Sequence, residues 1–156
     1  MSISVDVTVR SGRIPLSRAR VARIASSVLR AERVRDAELS ITFVSRRSIA
    51  AINRRHLGHA GPTDVISFEL ARSSPDVPVA GDVYIAPDVA RVNARELGVP
   101  VAEELARLVV HGTLHSLGYS HPEGSSDDRT ASAMWKRQER LLRRALAAED
   151  GKGSRV

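Results

Sequence analysis

The chain has 156 residues, 42% of them hydrophobic and 27% charged, which predicts one domain with a full hydrophobic core. It has no cysteine, so disulfides are excluded and any metal must be held by His, Asp or Glu. A net charge of +6 favours a polyanionic partner, nucleic acid being the commonest, while aromatics at 3% argue against extensive base stacking. No run approaches the roughly 18 consecutive apolar residues that a membrane span needs. The opening "MSISVDVTVR" alternates like a strand rather than a signal peptide, so the cytoplasm is the expected compartment.

In chain order, "SISVDVTV" (2–9) reads as a strand by strict alternation. A helix follows Pro15, with Val21, Ile24, Ala25, Val28 and Leu29 on one face. "AELSITFV" (37–44) is a second strand, and Ser45 caps a short helix that Gly58 ends. "HAGPT" (59–63) is turn chemistry, "DVISFEL" (64–70) a third strand and "ARSSPDVP" (71–78) a surface loop. "GDVYIA" (81–86) is a fourth strand, and Pro87 and Asp88 suit the first turn of a helix ending near Gly98. The next helix, 100–117, buries Val101, Leu105, Leu108 and Val109, with Gly118 as its terminator. A last amphipathic helix over 128–148 places Met134, Trp135, Gln138, Leu141, Leu142 and Ala145 on one side and many arginines on the other. The expectation is a single α+β domain over 1–148: a mixed four-stranded sheet packed with about five helices. Residues 149–156 are expected to form a disordered tail.

Three of the five histidines fall in "HGTLHSLGYSH" (111–121). His111 and His115 are one helical turn apart, so both imidazoles face the same way. A turn at Gly118 can then bring His121 back to the same ion, leaving a fourth position open to water as in a catalytic zinc site. One zinc ion is the expected cofactor, and the all-imidazole set also accepts nickel or another divalent metal. His56 and His59 read as solvated loop residues.

The spacing matches the protease pattern H-E-x-x-H-x-x-G-x-x-H, in which the Glu is the general base. Gly112 stands at that position, and a positioned base is worth about 10²–10⁴-fold, so peptide hydrolysis is disfavoured. Glu103 and Glu104 lie two turns upstream and do not replace it, while Glu123 and Asp127 read as solvent-facing.

"HGTLHSLGYSH" resembles the H-G-x-L-H-x-x-G-Y-D-H signature of the YbeY family of endoribonucleases, or rRNA maturation factors. "GPTDVISFEL" is similar to that family's P-T-D-V-L-S-F strand, "GDVYIAPDVARVNA" to its G-D-I-x-I-S segment and following helix, and "AMWKRQERLL" to its M-x-x-x-Q-E-x-I-L helix. The resemblance covers about 45–145 and implies a metal-dependent, single-strand-acting endoribonuclease with His111, His115 and His121 as ligands. Its implied roles are maturation of the small-subunit ribosomal RNA 3′ end and ribosome quality control. RNA is the implied partner, with ribosomal proteins or the small subunit beside it.

Two positions depart from the pattern. Leu57 stands where many members have an arginine, with Arg54 and Arg55 as candidate replacements for RNA contact. Ser120 stands where Asp is usual before the third histidine, which weakens support for that ligand. Ser67 is a further candidate RNA contact and Thr63 a candidate groove residue. The competing readings are a metalloprotease-like hydrolase and a non-enzymatic RNA-binding ribosome-assembly factor with a structural metal.

Overall fold

The computed structural model describes residues 2–70, 74–119 and 128–153. The chain runs β1 (Ser2–Val9), α1 (Arg18–Ala31), β2 (Asp36–Phe43), α2 (Arg46–Leu57), β3 (Val65–Leu70), β4 (Val79–Ile85), α3 (Pro87–Leu97), α4 (Val101–Ser116) and α5 (Asp128–Gly153). The four strands form one mixed sheet in the order β1-β2-β4-β3. β1, β2 and β4 are parallel, and β3 runs antiparallel along β4 as an edge strand. This is the α+β architecture that the alternation of patterns predicts.

Alternation along each strand sorts the two sheet faces. Leu39, Ile41, Phe43, Val83 and Ile85 turn towards α1 and α4 and form the main core. α4 is the central helix: Leu105, Ala106, Val109, Val110 and Leu114 are fully buried, and α1, α3, α5, β3 and β4 pack around it. The opposite face carries a smaller cluster of Val44, Ile49, Ile66 and Ala86, which α2 covers. All five residues expected on the buried face of α1 are buried, because a helix places i, i+3, i+4, i+7 and i+8 on one stripe. Its N-cap is Ser17, whose hydroxyl accepts from the Arg20 amide at 3.1 Å.

Several expected boundaries move. β4 starts at Val79 rather than 81, because Val79 pairs with Ala37 and Ala80 with Leu70 across the sheet. α5 continues past 148 to Gly153, carried by the helix-forming run Ala147, Ala148 and Glu149; residues 154–156 lie outside the described residues. Trp135 is 54% exposed rather than core-facing, while Met134, Gln138, Leu141, Leu142 and Ala145 are buried. The contact stripe of α5 is narrow, and Trp135 sits at its edge, about 100° around the helix from Met134. His56 is helical, not in a loop: it lies in α2, exposed, with its ring edge-on to Phe68 at 5.6 Å between centroids. No helix among the described residues is long and apolar enough to cross a membrane.

Candidate metal centre

The last two turns of α4 carry the candidate site. The rings of His111 and His115 stand with centroids 4.5 Å apart at 65°, as expected for side chains one turn apart on one helix face. His111 Nδ1 lies 2.6 Å from Gln138 Oε1 on α5. An amide oxygen only accepts, so Nδ1 carries the proton and the lone pair of His111 is at Nε2. This is the tautomer that an imidazole ligating a metal through Nε2 needs, with its other nitrogen held by a hydrogen-bond acceptor. His121 lies outside the described residues, as do Ser120, Glu123 and Asp127, and no group of three or more potential ligands gathers among the described residues.

The end of α4 is a tight reversal. The Gly118 amide donates to His115 O at 3.0 Å and the Tyr119 amide to Leu114 O at 3.3 Å, the paired bonds of a Schellman turn. That turn requires a left-handed residue, and Gly118 has φ of 96°. Tyr119 is then anchored: its hydroxyl donates to Glu32 at 2.7 Å, and Arg137 of α5 holds the other oxygen of the same carboxylate at 2.7 Å. One carboxylate at the end of α1 thus fixes the direction in which the chain leaves α4.

Gly112 is a close-approach residue. A Cβ there would stand 2.6 Å from Val83 Cγ1 and 3.2 Å from Ser67 Oγ. The position points into the sheet, so a glutamate base of the protease type has no room there. Ser67 donates its hydroxyl proton to Gly112 O at 3.0 Å, tying edge strand β3 to α4. Ser67 therefore lies beside the histidine turns, with its proton engaged in packing. Glu69, two residues on, reaches the end of α4, its carboxylate oxygens 3.8 Å from where a Gly118 Cβ would be.

The other candidates sit on α2 and in the turn before β3. Arg54, Arg55 and Leu57 are exposed in the last turn of α2, which packs on β3 and α3. Thr63 lies next to Asp64, whose carboxylate accepts from Asn93 at 3.0 Å, and Asn53 holds the preceding turn through Gly61 O at 2.9 Å.

Behind the histidines lies a partly buried charge network that the sequence reading missed. Arg107 contacts Glu139 through Nε and Nη2 at 3.1–3.2 Å, Glu104 at 2.9 Å and Glu103 at 3.3 Å. Burial works against the Arg107 charge, yet the hydrogen bonds and charges of Glu139 and Glu104 outweigh it and raise its pKa further. Glu104, only 3% exposed, has its pKa raised by burial, against the pull of Arg107. The one signal available in the sequence was Gln138, a polar residue inside an apolar stripe.

A family model described as Endoribonuclease YbeY matches residues 6–146. The chain belongs to the YbeY endoribonuclease family. Two YbeY endoribonucleases illustrate the match: that of Syntrophus aciditrophicus is 36% identical over 142 residues, covering 89% of this chain and 88% of the relative. That of Thermobifida fusca is 36% identical over 159 residues, covering 95% and 99%. The solution structure of TM1509 from Thermotoga maritima shares the fold with a TM-score of 0.64 at 23% identity, covering 97% of this chain and 95% of that one. The segments "GPTDVISFEL" and "GDVYIA" that resemble the YbeY family supply β3 and β4, the strands on which the helix carrying His111 and His115 rests.

Proposed function

We propose that the chain is a metal-dependent endoribonuclease acting on single-stranded ribosomal RNA in the cytoplasm, at the 3′ end of the small-subunit RNA and in ribosome quality control. His111, His115 and His121 would hold one divalent ion, zinc by expectation, with nickel or another divalent metal also suited to the all-imidazole set. The observation that carries the reading is the 2.6 Å contact from His111 Nδ1 to Gln138 Oε1, which presents Nε2 on the face shared with His115. A zinc ion held there would supply Lewis acidity towards a phosphoryl oxygen and would lower the pKa of a bound water towards about 7. The protein's own work is to hold the imidazoles, through Gln138 and the Schellman turn, and to attract RNA with a net charge of +6. The small ribosomal subunit and its proteins are the expected partners. The packing of Gly112 on Val83 supports phosphodiester over peptide chemistry, since it leaves no place for the protease base.

The test is cleavage of a ribosomal RNA precursor by wild type and His115→Ala, with elemental analysis of both proteins. The expected result is chelator-sensitive cleavage by the wild type, loss of cleavage and metal in the variant, and RNA binding largely retained. Equal cleavage by both proteins refutes the assignment.

A further inference from the structure

Gln138 can serve His111 only in one of its two amide orientations, and its surroundings decide which. Its Oε1 faces His111 Nδ1 at 2.6 Å, and its Nε2 donates to Glu139 Oε2 at 3.3 Å. An ionised carboxylate has no proton to give, so it accepts from the amide nitrogen and repels the amide oxygen. If the amide were turned over, Oε1 would face Glu139 acceptor to acceptor. Nε2 would then donate to His111, moving the imidazole proton to Nε2 and removing the lone pair. Gln138 is 2% exposed, so water cannot repair either mismatch, and a buried unsatisfied polar group is costly. Glu139 is itself fixed: Arg107 grips both its oxygens, and Glu103 and Glu104 hold Arg107 one turn back along α4.

We propose that Arg107 and Glu139 are positioning residues that lock the Gln138 amide and thereby hold His111 in the Nδ1–H tautomer. Neither touches the histidine; both act through Gln138. The inference extends the metal-site reading to how that site is made ready before an ion arrives, and the tautomer itself is measurable without metal.

The experiment uses the full chain with ¹⁵N-labelled histidine, metal-free, at about pH 8, where an ordinary imidazole is neutral. Long-range ¹H–¹⁵N correlation spectra assign the His111 tautomer, and a chelating dye competition measures zinc affinity. Wild type should show a single Nδ1–H form. Glu139→Gln, whose side chain can present either amide end, should show a substantial Nε2–H population and zinc affinity reduced by roughly 10–100-fold. Glu139→Asp, which keeps an acceptor-only carboxylate, should return the spectrum towards wild type. Arg107→Lys, keeping the charge but not the fork, should shift the tautomer in the same direction and guards against a Glu139→Gln that folds poorly. An unchanged Nδ1–H tautomer in both Glu139→Gln and Arg107→Lys overturns the proposal, whatever the zinc affinity. Absence of zinc binding by wild type overturns the metal reading instead, and the tautomer result still decides the positioning role.

Discussion

Replacing Gly112 by alanine adds one methyl group where the structure has no space for it. The new Cβ would sit 2.6 Å from Val83 Cγ1, 3.2 Å from Ser67 Oγ and 3.4 Å from Val65 Cγ2. Val83 is fully buried on the central part of the sheet, so it cannot swing into solvent, and α4 must lift from β3 and β4. Overpacking of this kind costs about 1–3 kcal/mol. The exchange also gains about 0.8–1 kcal/mol of helix propensity. The expected net loss is thus on the order of 1 kcal/mol, a fall in melting temperature of about 2–4 °C for a chain of this size. Cleavage should suffer more than stability, by about 10²-fold, since both described histidines ride on the displaced turns. Thermal denaturation and RNA cleavage of Gly112→Ala, Val83→Ala and the double variant check this. The double variant should be more stable than the sum of the singles by roughly 1–2 kcal/mol, because the valine methyls are the obstacle. A Gly112→Ala protein that is more stable than wild type by the propensity gain alone, with no coupling to position 83, would refute the close-packing argument.

Two further predictions concern titration. Both tyrosines have raised pKa values, Tyr119 through its hydrogen bond to Glu32 and Tyr84 through its hydrogen bond to Asp82. Each phenol's contribution is fully present below its unfolded value of about 10 and is lost as pH rises through the higher folded value. Near-ultraviolet absorbance of the native protein should therefore show no tyrosine ionising at its ordinary value until the chain unfolds; a native tyrosine titrating there contradicts the assigned bonds. Glu104 has the same sign for a different reason, burial raising its carboxyl above the ordinary range. Its contribution is present below the unfolded value of about 4.3 and lost as pH rises through the folded value. Urea unfolding of wild type and Glu104→Gln from acid to neutral pH should show the wild type losing stability relative to the variant; parallel curves count against the assignment.

Much of the site was legible in the sequence because it is local. His111 and His115 are separated by one helical turn, and helix geometry alone puts them on one face. Gly118 announced the end of α4, and the turn it makes is a matter of its own φ and of bonds to residues three and five back. The strands and the buried stripe of α1 were equally readable, since alternation and 3.6-residue periodicity are properties of short segments. Trp135 was misread because periodicity gives the direction of an apolar stripe but not its width, which the partner helix sets.

The pair of histidines, the glycine that turns the chain after them and the motifs of the YbeY family all follow from local sequence. Tertiary structure alone decided what surrounds them. Gln138 reaches His111 across 27 positions of sequence, and Tyr119 reaches Glu32 across 87, distances over which no periodic pattern carries information. The meaning of Gly112 also changed with the fold: the sequence shows a missing base, whereas the structure shows a helix packed too closely on Val83 and Ser67 to admit one. Arg54 and Arg55 lie near the turn in sequence, and the packing of α2 on β3 and α3 leaves both exposed in its last turn. Successive strand residues point to opposite faces, so nearness in sequence to β3 does not decide which side of it a neighbouring helix takes.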